Sequence, residues 1–204
     1  MRLCRYQSEN QISCGFYSED TIIPFSAAAE LAGVLLDESA GLLPFLPGGA
    51  QRELIMAVET QLKQSMDEEL FPISILTDEV QLLVPVPEPS KLLLLAGNYS
   101  KHIEEGGGKA EERQKTFPYV FMKPPLTTLT NPGQPVKIPE VSPDYIDWEL
   151  ELGIVSGKPC KGVSEAEALD YVAGYTVIND ISDRKFRPNP GRTLREKDTF
   201  FDWQ

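Results

Sequence analysis

The chain has 204 residues, 41% hydrophobic and 25% charged, enough for one sizeable domain or for a small domain followed by part of a larger one. A net charge of −12 argues against nucleic-acid binding, because no basic face is left to displace phosphate counterions, and the apolar runs are too short to span a bilayer. No apolar stretch of the signal-peptide kind follows Arg2 and Arg5. Cys4, Cys14 and Cys160 fit neither a metal-binding spacing nor an even disulfide set, so a reduced, cytoplasmic protein is expected.

Residues 2–6 and 12–17 read as short strands forming an opening hairpin. Two helical stretches follow: 26–36, rich in Ala and Leu, and about 50–66, where Leu54, Ala57, Val58 and Leu62 fall at helical spacing. Residues 73–76 and 80–86 look like strands, and Pro85, Pro87 and Pro89 mark a linker. The chain thus divides into a small N-terminal α/β domain, 1–88, and a second part, 91–204.

After the linker the texture turns to strands and turns. The apolar run 91–96 ends at Gly97-Asn98, as a buried strand would. Residues 99–105 form one or two helical turns, stopped by Gly106-Gly107-Gly108, and 119–122 form a strand ended by Pro124-Pro125. Residues 147–156 alternate, with Trp148, Leu150, Leu152 and Ile154 on one side and Glu149 and Glu151 on the other, and the strand reads as largely buried. A short helix is expected over 165–171, with Ser164 as N-cap and Glu167 three residues on, and a strand over 175–181. The tail, 185–204, is polar and poorly patterned.

Chemistry concentrates in three places. Glu149 and Glu151, two apart on a strand, leave the same face, where like charges repel unless a cation or shared proton offsets them. An exposed strand face with glutamates is the plain alternative. Asp180 lies between Asn179 and Ile181 at the end of an apolar run; it either caps a turn or pairs with Arg184, or it joins the two glutamates in a set of hard oxygen ligands. Such a set suits Mg²⁺ or Mn²⁺ and not zinc. His102 is the chain's single histidine, and Glu105 shares its face if the turn is helical. That pair is either a charged surface turn or a carboxylate-oriented general base.

The order of these pieces is more specific than any one of them. Asn98-Tyr99 and His102-x-x-Glu105 come first, then Phe121-x-Lys123-Pro124 and Glu149-Leu150-Glu151-Leu152-Gly153. Gly174-Tyr175-Thr176 and Asn179-Asp180-Ile181-Ser182-x-Arg184 follow. This series closely resembles the catalytic domain of the fumarylacetoacetate hydrolase family over residues 91–204.

The resemblance implies an α+β fold, with the N-terminal domain followed by an incomplete mixed β-roll. It implies that Glu149, Glu151 and Asp180 hold Mg²⁺ or Mn²⁺, that His102 and Glu105 activate water, and that Lys123 lies near the substrate. The expected substrate is a small 2-oxo or diketo carboxylate, chelated by a metal that acts as Lewis acid for the enolate formed in hydrolysis, lyase or isomerase chemistry. A homodimer is also implied. Two departures stand out. Arg184 is followed by Lys185-Phe186-Arg187 where the family often carries Asp and then a substrate-contacting glutamine. The Phe200-Phe201-Asp202-Trp203 segment is not followed by the family's Gly-Lys-Trp stretch, so the expectation is a chain truncated within the catalytic domain. Its alternative function is a non-catalytic metal-binding or interaction fragment.

Overall fold

The computed structural model describes residues 1–105, 109, 115, 119–140 and 142–184, apart from the His102 side chain. The Gly106-Gly107-Gly108 stop and the tail with Arg187, Lys197 and residues 200–203 lie outside the described residues. No helix among the described residues is long and apolar enough to cross a membrane. Two compact units divide the chain, one of Met1–Val86 with Thr130–Gln204, the other Pro87–Leu129.

The first unit opens with the expected hairpin, β1 (Leu3–Ser8) and β2 (Gln11–Tyr17), and β3 (Thr21–Pro24) continues the meander. With β4 (Ile75–Leu76) and β5 (Gln81–Leu83) they form an antiparallel sheet in the order β4-β3-β2-β1-β5. Alternation sends Cys4 and Tyr6 to one side with Ile22, and Cys14 to the other with Phe25, Leu42, Phe45 and Ile55. The sheet is therefore covered on both faces. Phe25 anchors the larger cluster, with its ring 5.0 Å from Phe16 and 4.9 Å from Phe45, both in tilted or edge-on geometries that aromatic quadrupoles favour.

Helix α1 (Phe25–Ala32) follows Pro24 and ends at Gly33, whose φ of 66° only glycine adopts without strain. It packs on α2 (Arg52–Gln64) through Ala28 against Val58 and Leu62. The buried stripe of α2 is Ile55, Val58 and Leu62, whereas Leu54 and Ala57 are exposed. The stripe lies beside the one read from the sequence because Ile55 reaches the Phe25–Phe45 cluster and offers more apolar area there than Ala57. Both later strands are shorter than expected. Residues 71–73 form a 3₁₀ turn after α3 (Asp67–Leu70), leaving only β4 and β5 to pair.

The second unit is a ribbon of β6 (Leu92–Ala96) and β7 (Tyr119–Lys123), paired from Leu92 with Lys123 to Ala96 with Tyr119. It also holds α4 (Ser100–Glu105) and α5 (Pro125–Thr128). The run 91–96 is not a buried strand: Leu93 and Leu95 are exposed, as are Val120 and Met122. A continuous apolar run marks burial only where layers cover both faces, and a two-stranded ribbon buries neither face by itself.

After Thr130 the chain is fastened to β5. The Asn131 side chain accepts from the Val84 N–H at 2.9 Å, and Gln81 donates to the Pro132 carbonyl at 2.7 Å. Four further strands follow: β8 (Ile146–Asp147), β9 (Leu150–Ser156), β10 (Val172–Asn179) and β11 (Ser182–Asp183). They pair as two antiparallel ladders, β9 with β10 and β8 with β11. The expected helix at 165–171 is a turn and a 3₁₀ segment, Ala168–Tyr171, with the Ser164 hydroxyl on the Glu167 carboxylate at 2.6 Å. Helices and antiparallel strands that segregate in this way make an α+β architecture.

Candidate functional site

The strand read over 147–156 is interrupted. The Trp148 N–H is taken by the Asp147 carboxylate at 2.9 Å and the Glu149 N–H by the Asn179 side chain at 3.1 Å, so neither donates to a backbone ladder. The break frees residues 146–147 to pair with β11 while 150–156 pair with β10. Across it the register is kept: Glu151 faces Ile178, Leu150 faces Asn179, and the Asp180 N–H donates to the Glu149 carbonyl at 2.8 Å. Alternation then puts Glu149, Glu151 and Asp180 on one face of the ribbon.

That face is the covered one. Asp180 is 4% exposed and the Glu149 side chain 16%. The opposite face carries Leu150, Leu152 and Ile154 of β9 with Tyr175 and Val177 of β10, each 60–72% exposed. The reading of this strand as largely buried is thus right for the acids and wrong for the leucines. The glutamates do not sit on an exposed strand face.

Arg184 supplies the positive charge. Its backbone N–H donates to the Tyr145 carbonyl at 2.9 Å, prolonging the β8–β11 ladder. From there Nε meets the Asp147 carboxylate at 3.0 Å, and a terminal guanidinium nitrogen pairs with the Glu149 carboxylate. Asp147 and the buried Asp183, 1% exposed, thus adjoin the candidate acids in sequence and in fold. Asp183 sits in a polar stretch without apolar periodicity, and nothing in the sequence pattern marks it as buried.

The remaining candidates lie in the second unit. His102 and Glu105 are three residues apart on α4. Glu105 is exposed, and the His102 side chain is outside the described residues. Lys123 is 7% exposed at the end of β7, opposite Leu92, where Pro124 ends the strand.

All three carboxylates offer hard oxygen donors, which suit Mg²⁺ or Mn²⁺, and a cation already rests on Glu149. Donor chemistry and shared face therefore fit a divalent ion. Side-chain convergence is a different matter: among the described residues no three His, Cys, Asp or Glu side chains are grouped closely enough to hold a metal ion.

A sequence model described as the fumarylacetoacetate hydrolase C-terminal domain matches residues 91–200. The chain is 39% identical over 58% of its length to the oxaloacetate tautomerase YisK of Bacillus subtilis, of which 38% is covered. It is 32% identical over 67% of its length to the mitochondrial oxaloacetate tautomerase fahd2 of Xenopus laevis, of which 41% is covered. Among solved structures, maleylpyruvate hydrolase from Sphingobium sp. SYK-6, crystallised with manganese(II) and pyruvate, superposes with a TM-score of 0.63 at 25% identity. That superposition takes in 90% of this chain and 60% of the hydrolase, so the chain spans less than two thirds of each relative.

Proposed function

The chain belongs to the fumarylacetoacetate hydrolase family, and from that premise we propose that it carries divalent-metal chemistry on small 2-oxo or diketo carboxylates. The observation that supports this reading is the covered acidic face at the joined ends of β9 and β10, where alternation and the bond from the Asp180 N–H to the Glu149 carbonyl put Glu149, Glu151 and Asp180 on one side. These three residues would hold Mg²⁺ or Mn²⁺. A bound ion supplies Lewis acidity for the negative charge that develops on the 2-oxo oxygen.

The chain's own residues contribute the rest. His102, oriented by Glu105, accepts a proton from water or from the carbon next to the carbonyl. Lys123 offers an ammonium to the substrate carboxylate. Relatives support the substrate class: two are oxaloacetate tautomerases, and a third was crystallised with manganese and pyruvate. Tautomerisation, hydrolysis and C–C cleavage share the charge development at this oxygen and differ in which bond is made or broken next.

A second reading, a metal-binding or interaction module without turnover, is favoured by the exposed Leu150–Leu152–Ile154 face. Mn²⁺ titration followed by assays on oxaloacetate and an acylpyruvate separates the two. Expected are saturable Mn²⁺ binding, weakened at least about tenfold in Glu149→Gln, and turnover that is lost in His102→Ala with Mn²⁺ still bound. Binding that Glu149→Gln leaves unchanged would overturn the metal assignment. Metal binding with no turnover on either substrate would favour the module.

A further inference from the structure

We infer that Arg184 is an internal counter-cation which holds the metal face closed, and that divalent-ion entry requires its guanidinium to leave Glu149. This inference rests on the metal reading above and deepens it by naming what competes for the same carboxylate.

Three observations carry it. First, Glu149 is engaged by the Arg184 guanidinium, although its carboxylate belongs to the proposed ligand set. Second, the three ligand carboxylates share a face without being grouped tightly enough to hold an ion, as expected when a guanidinium has taken one of them. Third, Arg184 has a second anchor. Its Nε lies 3.0 Å from the Asp147 carboxylate, and its backbone is fixed by the bond to Tyr145 at 2.9 Å.

The anchor makes a swing feasible. The guanidinium is a rigid plane, so it leaves Glu149 by turning as a whole about the Cδ–Nε bond; Nε lies on that axis and stays beside the Asp147 carboxylate, so Arg184 keeps one ion pair. A metal therefore need not expose an unpaired arginine, and the acids are never left as uncompensated like charges. Energetically this is a two-state device. The closed state has Arg184 on Glu149, the open state has a divalent ion there, and apparent metal affinity is reduced by the fraction of molecules that are open.

Asp147, Glu149 and Arg184 belong to one unit, so the device involves only residues whose mutual placement the structure describes. Arg184 is a positioning residue in this scheme. It acts through Glu149 and needs no contact with substrate.

The test measures Mn²⁺ binding to the full 204-residue chain by the loss of the free-ion electron paramagnetic resonance signal. Arg184→Gln is compared with wild type and with Arg2→Gln, which removes the same charge from an exposed pair with Glu19. If about one molecule in ten is open, Arg184→Gln binds about tenfold more tightly. Arg2→Gln stays at the wild-type value. Arg184→Lys, which keeps the charge but lacks the fork that spans two carboxylates, falls between them.

Thermal unfolding supplies a readout that does not depend on turnover. Arg184→Gln melts below wild type without metal and regains more than wild type when Mn²⁺ is added. Equal Mn²⁺ affinity in wild type and Arg184→Gln, with binding still weakened by Glu149→Gln, would overturn the counter-cation while leaving the metal site standing. Equal tightening in Arg2→Gln would overturn it too, by reducing the effect to net charge. Absence of Glu149-dependent binding in every variant would remove the metal reading and this inference together.

Discussion

The backbone N–H of Asp180 donates to the carbonyl of Glu149 at 2.8 Å, so two residues 31 positions apart are joined by main chain and their carboxylates share a covered face. The join does not depend on the Asp180 side chain. Asp180→Asn should therefore keep that amide protected from hydrogen exchange, like the amides of the β9–β10 ladder, while Mn²⁺ binding weakens at least about tenfold. Loss of amide protection in the variant would show that the carboxylate, and not the register, positions this turn.

Gly157 sets a second constraint. A Cβ at this position would sit 2.1 Å from the Pro47 carbonyl oxygen and 2.8 Å from the Ala173 Cβ. Gly157→Ala should cost on the order of 2 kcal/mol, since backbone must shift to make room. Gly174→Ala serves as the control, with nothing within 4 Å of its Cβ, and should stay within about 0.5 kcal/mol of wild type in urea unfolding.

The core around Phe25 makes the largest stability prediction. Phe45 is fully buried and packs edge-on against Phe25 at 4.9 Å. Phe45→Ala should lose about 3–5 kcal/mol, read as a lower urea midpoint with an unchanged slope.

Much of this was legible in the sequence. Alternation over Glu149–Leu150–Glu151–Leu152 put acids and leucines on opposite faces, and helical spacing found α2. The facing was less legible. Period-two patterning says that two sides differ, but which side is covered depends on packing partners distant in sequence, and here the leucine side is exposed. The break at Trp148 was hidden because it is made by side chains of Asp147 and Asn179 that occupy ladder donors. Arg184 was visible as a partner for Asp180; that its partners include Asp147 and Glu149 follows from pairing β11 with β8.

Cysteine ionisation gives a pH dependence. Burial pushes the thiols of Cys4 and Cys14 up from 9.0 to about 12, with Glu38 adding to the rise at Cys14. Between those values the unfolded chain releases protons that the folded chain retains, so stability is full below pH 9.0 and falls as pH rises toward 12. Urea midpoints measured at rising alkaline pH should fall, and fall less steeply in Cys4→Ala and in Cys14→Ala. Cys160, which is exposed, should react with a thiol reagent in the folded protein while Cys4 and Cys14 do not.

The leucine face of β9 and β10 predicts a surface property. Replacing Leu152 and Val177, both exposed, with Thr should change stability by less than about 0.5 kcal/mol. Fluorescence of a hydrophobic dye bound to the protein should fall in the double variant.

The two-faced ribbon also limits how the protein can vary in length. A single residue inserted within β9 would turn every side chain beyond it to the other face, sending leucines to the acidic side and an acid to the exposed one. Residues between Gly157 and Tyr171, closed by the Gly157 N–H on the Tyr171 carbonyl at 2.9 Å, carry no such parity. An odd or an even number of residues can therefore be added to that connection without changing which face the later side chains take, whereas within the strand only pairs preserve it.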